Sequence, residues 1–190
     1  MFSLIYGLLE YLLRKTEIHL LILGIDNAGK TTLLERIKHE YLGSTPAAQT
    51  VPTVGLNIGR IELGRKHMLF WDLGGAASLR GIWRKYLQEA HAVLFVVDSA
   101  DPSRFPEARQ ALSSAMASPH LLGKPVMVLA NKGDLPHAAA PLEVLSALGL
   151  SGERGGLVEC TSGHTGMNVK RSVDRLVAVV GGLRSAGAAL

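Results

Sequence analysis

Cysteine is nearly absent. Cys160 is the one cysteine among 190 residues, so no internal disulfide can form and nothing points to an oxidising compartment. Charge of one sign is also scarce. The net charge is only +4 and no basic run exceeds two residues, so the surplus reads as a solvated basic face and no nucleic-acid partner is expected. Long apolar runs are missing as well. FSLIYGLLEYLL at 2–13 is too short to span a bilayer. It has no basic segment ahead of it and no small-residue cleavage site behind, which argues against a secretory signal. Residue 2 is Phe, which excludes N-myristoylation, and the terminal SAGAAL offers no prenylation cysteine. Internal repeats and low-complexity tracts are absent. What remains, 190 residues with 47% hydrophobic content, suffices for one domain with its own core.

The sequence has alternation instead. Set on a helix, residues 2–13 and their flank place Ser3, Gly7, Glu10 and Arg14 in one narrow polar stripe, with Phe2, Ile5, Leu8 and Leu12 away from it. Such a helix lies in a membrane interface or packs into a groove on its own domain. Residues 1–15 are therefore set apart as an N-terminal amphipathic helix. Strand-like runs follow at 18–24, 54–63, 66–73, 91–98, 125–131 and 156–160, the second and third meeting at Gly64-Arg65 as a hairpin. Helical patterns occupy 30–42, 102–117, 141–149 and 168–183. Strands apolar on both faces, alternating with helices, imply an α/β domain over 16–184. Its six-stranded, mostly parallel sheet would carry helices on both faces. Fraying is expected from Gly181 and a flexible tail over 185–190. The turn-rich stretch 43–53 has the length of a functional loop.

GIDNAGKT at 24–31 matches G-x-x-x-x-G-K-[ST] and sits between a predicted strand and a predicted helix, the context of a P-loop. Gly24 and Gly29 permit the turn. The amides from Asn27 through Ala28 to Thr32 can point at phosphate oxygens, with Asp26 in the same loop. Lys30 would neutralise phosphate charge and the Thr31 hydroxyl would ligate Mg²⁺. NKGD at 131–134 ends another strand. Asp134 can accept from guanine N1–H and its 2-amino group, donors that adenine lacks. The Lys132 stem can cover the base, and Asn131 can tie this loop to the P-loop. Cys160, Thr161 and Ser162 end the last strand, where backbone amides can meet guanine O6. WDLGG at 71–75 also follows a strand. Asp72 would hold Mg²⁺ through water, the Gly75 amide would bind a γ-phosphate, and Thr53 is the candidate for the other Mg²⁺ ligand.

With these motifs in this order, the chain resembles a small GTPase of the ADP-ribosylation factor (Arf) family over essentially its whole length. GIDNAGKTT, PTVG, WDLGG, NKGD and CTS carry the resemblance, and the 19 residues from Thr53 to Asp72 match the Arf spacing. Met-Phe at the start, VGLNIG and FWDLGG are similar to the Arf-related protein 1 subgroup, the type called Arl3 in yeast. The resemblance implies the P-loop GTPase fold, GTP or GDP with Mg²⁺ as cofactors, and a monomer served by an exchange factor, a GTPase-activating protein and effectors. It implies vesicle trafficking from the cytosol and the cytoplasmic face of the trans-Golgi network, with an acetylated N-terminus read by a membrane receptor. It also implies a toggle. With GTP the 54–73 hairpin would slide, expel the N-terminal helix and order Thr53 and Gly75, and strand register makes such a slide discrete. The family's exposed effector triad carries over to Leu56, Trp71 and Tyr86.

One position departs. Ala76 stands where the family has the catalytic Gln that orients the attacking water. No nearby glutamine replaces it, since Gln88 lies on the next helix. The expectation is intact GTP binding with strongly reduced hydrolysis. Two readings stay open: a trafficking switch held with GTP, and a naturally non-hydrolysing GTP-binding scaffold. A P-loop kinase or ATPase is disfavoured by NKGD.

Overall fold

The computed structural model describes residues 16–46, 50–51, 53–63, 66–150 and 157–187. The expected N-terminal helix at 1–15 lies outside the described residues, as do the turn at Gly64-Arg65 and residues 188–190. The described strands are β1 (Thr16–Leu23), β2 (Leu56–Leu63), β3 (Lys66–Leu73), β4 (Ala92–Asp98), β5 (Val126–Asn131) and β6 (Leu157–Cys160). They form one sheet in the order β2-β3-β1-β4-β5-β6. Only the β2–β3 hairpin is antiparallel. The helices are α1 (Lys30–Leu42), α2 (Trp83–Glu89), α3 (Phe105–Met116), α4 (Pro141–Ala147) and α5 (Val169–Gly187).

The burial pattern explains the order. β4 reads AVLFVVD, and every residue before Asp98 is buried, as an all-apolar central strand requires. In edge strand β2, buried Gly59 and Ile61 alternate with exposed neighbours, so one side faces the core. Leu33, Leu34 and Ile37 of α1 join Leu176 of α5 over Leu20, Ile22 and Phe70 on one face. Trp83 of α2, Leu112 of α3 and Val144 of α4 pack over Leu21, Leu23 and Phe95 on the other. Each such side chain contributes about 1.5–3 kcal/mol by leaving water.

Two helix boundaries differ most from expectation. The helix expected at 102–117 opens as a 3-10 turn, Pro102–Arg104, before α3 begins at Phe105. The last helix continues through Gly181-Gly182 to Gly187, because buried Val177 and Val180 anchor the turns before it and elongation is then cheap. A further 3-10 turn, Ala77–Ile82, leads directly into α2. β1, β3, β4, β5 and β6 run the same way, so the loops leaving their carboxyl ends gather along one edge, where open α/β sheets bind ligands.

Candidate functional site: a nucleotide cradle at the carboxyl edge

The P-loop links β1 to α1 by backbone conformations few residues adopt. Gly29 lies at φ 89°, and a Cβ there would stand 2.5 Å from Asn131 Nδ2. Asn27 is left-handed at φ 61°. Among the described residues, no backbone acceptor takes the amides of Asn27, Ala28 or Gly29. They stand free at the N-terminus of α1, as an anion-binding turn requires. Lys30 is buried, and its Nζ donates to the Ile25 carbonyl at 2.7 Å. Burial pushes the Lys30 ammonium down to about 8, while the charges of Asp72 and Asp26 act against that shift. A cavity of about 240 Å³ opens here, bounded by Asp26, Lys30, Thr31, Thr53, Gly75 and Ala76.

Three predicted metal ligands meet beside it: Thr31 in the first turn of α1, Thr53 ahead of β2 and Asp72 near the end of β3. The Thr31 hydroxyl donates to Asp72 Oδ2 at 2.7 Å and lies 2.8 Å from the Thr53 hydroxyl, which reaches the same Oδ2 at 3.3 Å. Asp72 is fully buried. Burial raises its carboxyl above the usual range, against the Thr31 hydrogen bond and the Lys30 charge. The Asn57 side chain approaches the carboxylate from across the hairpin, yet Oδ1 has no hydrogen bond of normal geometry. An orphaned, buried carboxylate oxygen is costly. Two hydroxyls and a carboxylate supply the hard oxygen ligands Mg²⁺ prefers, so these residues fit that ion.

The sensing turn that follows β3 is clamped as well. Gly74 receives the Trp83 indole N–H at 3.1 Å on its carbonyl. Gly75 presses on the P-loop, where a Cβ would stand 2.5 Å from both the Asp26 nitrogen and the Gly24 carbonyl. Glycine alone fits this approach. Ala76 lines the phosphate cavity. Its methyl group therefore occupies the place from which a longer side chain would reach the phosphates.

A second cavity, about 310 Å³, adjoins Gly29, Thr32, Lys132, Asp134, Ser162 and Gly163. Asn131 joins three loops: its Nδ2 donates to the Ala28 carbonyl at 2.9 Å and its Oδ1 accepts the Gly163 amide at 3.0 Å. The expected tie to the P-loop is present. Lys132 is left-handed at φ 62°, and its Nζ pairs with Asp98 Oδ2 at 2.6 Å, which lays the stem across the pocket's rim. The expectation for Cys160, Thr161 and Ser162 needs correction. The Thr161 amide donates to Ala130 and the Ser162 amide to Met167, so neither is open to a base. Ala130 pairs with Cys160 and accepts from the residue after it, so the Cys160 N–H points away from β5, off the sheet edge. Cys160 is not among the residues that border this cavity. Its thiol is pushed up by burial and by the Asp134 and Glu159 charges.

The expected effector triad is contiguous but not exposed. Trp71 is only 6% exposed; the His19 ring covers it at 4.7 Å and Tyr86 meets it edge-on at 5.5 Å. Leu56 and Tyr86 are half-buried. The apolar residue presented to solvent here is Ile58, paired with Trp71 across the hairpin and 43% exposed. The strand alternation of 54–63 carried that signal.

Other site residues carry no motif. Arg104, Glu107 and Arg80 form an ion-pair chain beside the phosphate cavity, and Asn168 donates to the Cys160 carbonyl at 2.9 Å. Asp98 could have been suspected from its place at the end of an apolar strand.

The sequence profile of the ADP-ribosylation factor family matches residues 5–180. The chain belongs to the Arf family. ADP-ribosylation factor-related protein 1 of Homo sapiens is 39% identical over 188 residues, covering 95% of this chain and 93% of that protein. ADP-ribosylation factor-like protein 3 of Saccharomyces cerevisiae is 43% identical over 136 residues, 70% of this chain and 69% of the other. Among solved structures, the Arl6 BBS3 small GTPase from Trypanosoma brucei, with bound nucleotide analogue GppNp, superposes with a TM-score of 0.76 at 28% identity. The match covers 87% of this chain and 98% of that one. This Arf-family chain is thus a small GTPase that uses GTP or GDP with Mg²⁺, on a mostly parallel six-stranded sheet.

Proposed function

We propose that this Arf-family GTPase binds GTP and keeps it. One observation carries the reading: Ala76 lines the phosphate cavity while Thr31, Thr53, Asp72 and Gly75 keep their places around it. The binding groups are intact. Lys30 and the P-loop amides hold the phosphates, Asp134 reads guanine, and Mg²⁺ would rest on Thr31, Thr53 and, through water, Asp72. When bound, the ion offsets the charge of the β- and γ-phosphates. What is missing is a side chain that can orient the attacking water. Losing one transition-state hydrogen-bonding group costs about 10²–10³-fold in rate.

The reading extends to a role in trafficking at the trans-Golgi. It rests on the resemblance to the Arf-related subgroup and on similarity to Arf-related protein 1 across 95% of the chain. On this view the 54–73 hairpin slides with GTP, residues 1–15 leave a groove for the membrane, and effectors dock around Leu56, Ile58, Trp71 and Tyr86. An exchange factor, an activating protein and a receptor for an acetylated N-terminus complete the set of partners.

The test is the nucleotide found on purified protein, followed by turnover of Ala76→Gln. Bound GTP is expected, and Ala76→Gln should hydrolyse GTP at least about 10²-fold faster with a cognate activator. Bound GDP from the unaltered chain would overturn the GTP-retaining reading. Retained GTP with no gain from Ala76→Gln would favour a naturally non-hydrolysing scaffold.

A further inference from the structure

The phosphate cavity has a support that none of the motifs contains. Arg104 precedes α3 and grips the P-loop twice: Nη1 donates to the Asp26 carbonyl and Nη2 to Asp26 Oδ1, both at 2.8 Å. The same guanidinium donates to Glu107 Oε2, from Nη2 at 2.7 Å and Nε at 3.2 Å. The other oxygen of Glu107, Oε1, accepts from Nη2 of Arg80. Arg80 in turn donates through Nε to the Gly75 carbonyl at 2.8 Å. An unbroken chain, Asp26–Arg104–Glu107–Arg80–Gly75, therefore runs from the P-loop through the first turn of α3 to the sensing turn.

Both ends of the chain border the same cavity. Asp26 places a carboxylate at its mouth, where a triphosphate would meet repulsion, and Arg104 compensates that charge. The hydrogen bond from Arg104, against a smaller burial effect, holds the Asp26 carboxyl below its usual range. At the other end, Arg80 fixes the Gly75 carbonyl and so the peptide plane beside it. The middle member, Glu107, divides its two oxygens between the two guanidiniums. The P-loop and α3 belong to the scaffold, whereas Gly75 is the part that must move when the γ-phosphate leaves. A link from scaffold to sensor stabilises the closed turn only. A ligand that prefers the closed turn gains from it, and one indifferent to the turn does not.

We propose that Glu107 is a positioning residue that sets the preference for GTP over GDP, by holding Arg104 on the P-loop and Arg80 on the sensing turn. The experiment compares Glu107→Gln, Arg80→Gln and the double variant in the full-length chain. Affinities for GDP and for a non-hydrolysable GTP analogue would be measured with Mg²⁺ by displacement of a fluorescent nucleotide. Each single variant should lose about five- to tenfold in GTP affinity with GDP affinity unchanged, the low end of site-to-site coupling because these pairs are partly exposed. The double variant should be no worse than the weaker single one, since both break the same chain. Charge alone predicts otherwise: removing an anion and removing a cation near a polyphosphate shift affinity in opposite directions. Opposite shifts, equal losses for both nucleotides, additive losses or no loss would each overturn the proposal. Should Glu107→Gln fail to fold, Arg80→Gln together with Arg80→Lys keeps it testable. Lysine restores the charge but cannot hold Glu107 and Gly75 together, so it should not restore GTP preference.

Discussion

Gly133 has no side chain because its neighbour already fills the space. A Cβ built there would collide with the Cys160 sulfur and come within 3.3 Å of the Thr161 carbonyl. The Gly133 amide is meanwhile tied to that same carbonyl at 3.0 Å, so the loop cannot swing away. Gly133→Ala should therefore push the guanine-reading loop out and weaken GDP and GTP alike, by about 1–3 kcal/mol, the usual cost of overpacking. Adding Cys160→Ala should restore most of the loss, which nucleotide titration of the single and double variants would check. A loss that persists in the double variant would place the strain elsewhere. Motif reading finds Asn131, Lys132 and Asp134 because fixed chemistry sits at fixed spacing. It names Cys160 and spans Gly133, but not how closely the two fit, which depends on two loops brought together by the β5–β6 pairing. Glu107 is hidden for the same reason: its partners lie 27 residues away at Arg80 and three residues away at Arg104.

The elements most legible in the sequence are those that carry their own boundaries. α1 spans 30–42 as expected, between Gly29 and a left-handed Gly43 whose amide caps the helix on the His39 carbonyl. The 3-10 turn at 77–82 has no periodicity to announce it, and its shape comes from tertiary bonds such as Trp83 to Gly74 and Arg80 to Gly75. The hairpin is legible as two strands, but its register against β1 is not. In the structure Glu17 pairs with His67 and Leu21 with Trp71. If the nucleotide cycle needs β3 to slide along β1, a disulfide between Glu17→Cys and His67→Cys should stop it, since paired positions suit disulfide geometry. In a Cys160→Ala background, the oxidised protein should keep GTP affinity and lose GDP affinity about tenfold or more, with reductant restoring it. Equal GDP affinity in both redox states would rule out the slide.

At the scale of the molecule, the sheet edge sets nucleotide chemistry, and on the proposed reading the apolar N-terminal segment sets address. No described helix is long and apolar enough to cross a membrane. The trafficking proposal assigns attachment to the amphipathic pattern of residues 2–13. Protein loaded with a GTP analogue should float with anionic vesicles, and protein loaded with GDP should not. Deleting 2–13 should abolish flotation and leave nucleotide affinity intact; flotation that survives the deletion would assign attachment to another surface. If Ala76 blocks hydrolysis, as proposed, it changes what such a molecule reports. A switch that hydrolyses its ligand is driven in one direction, and its exchange factor raises the active fraction by outrunning that drive. If GTP is kept in this way, the cycle lacks its irreversible step and obeys detailed balance. A catalyst of exchange then hastens loading and unloading equally and leaves the active fraction untouched. That fraction becomes a readout of the surrounding ratio of GTP to GDP, weighted by two affinities, and the timer becomes a gauge.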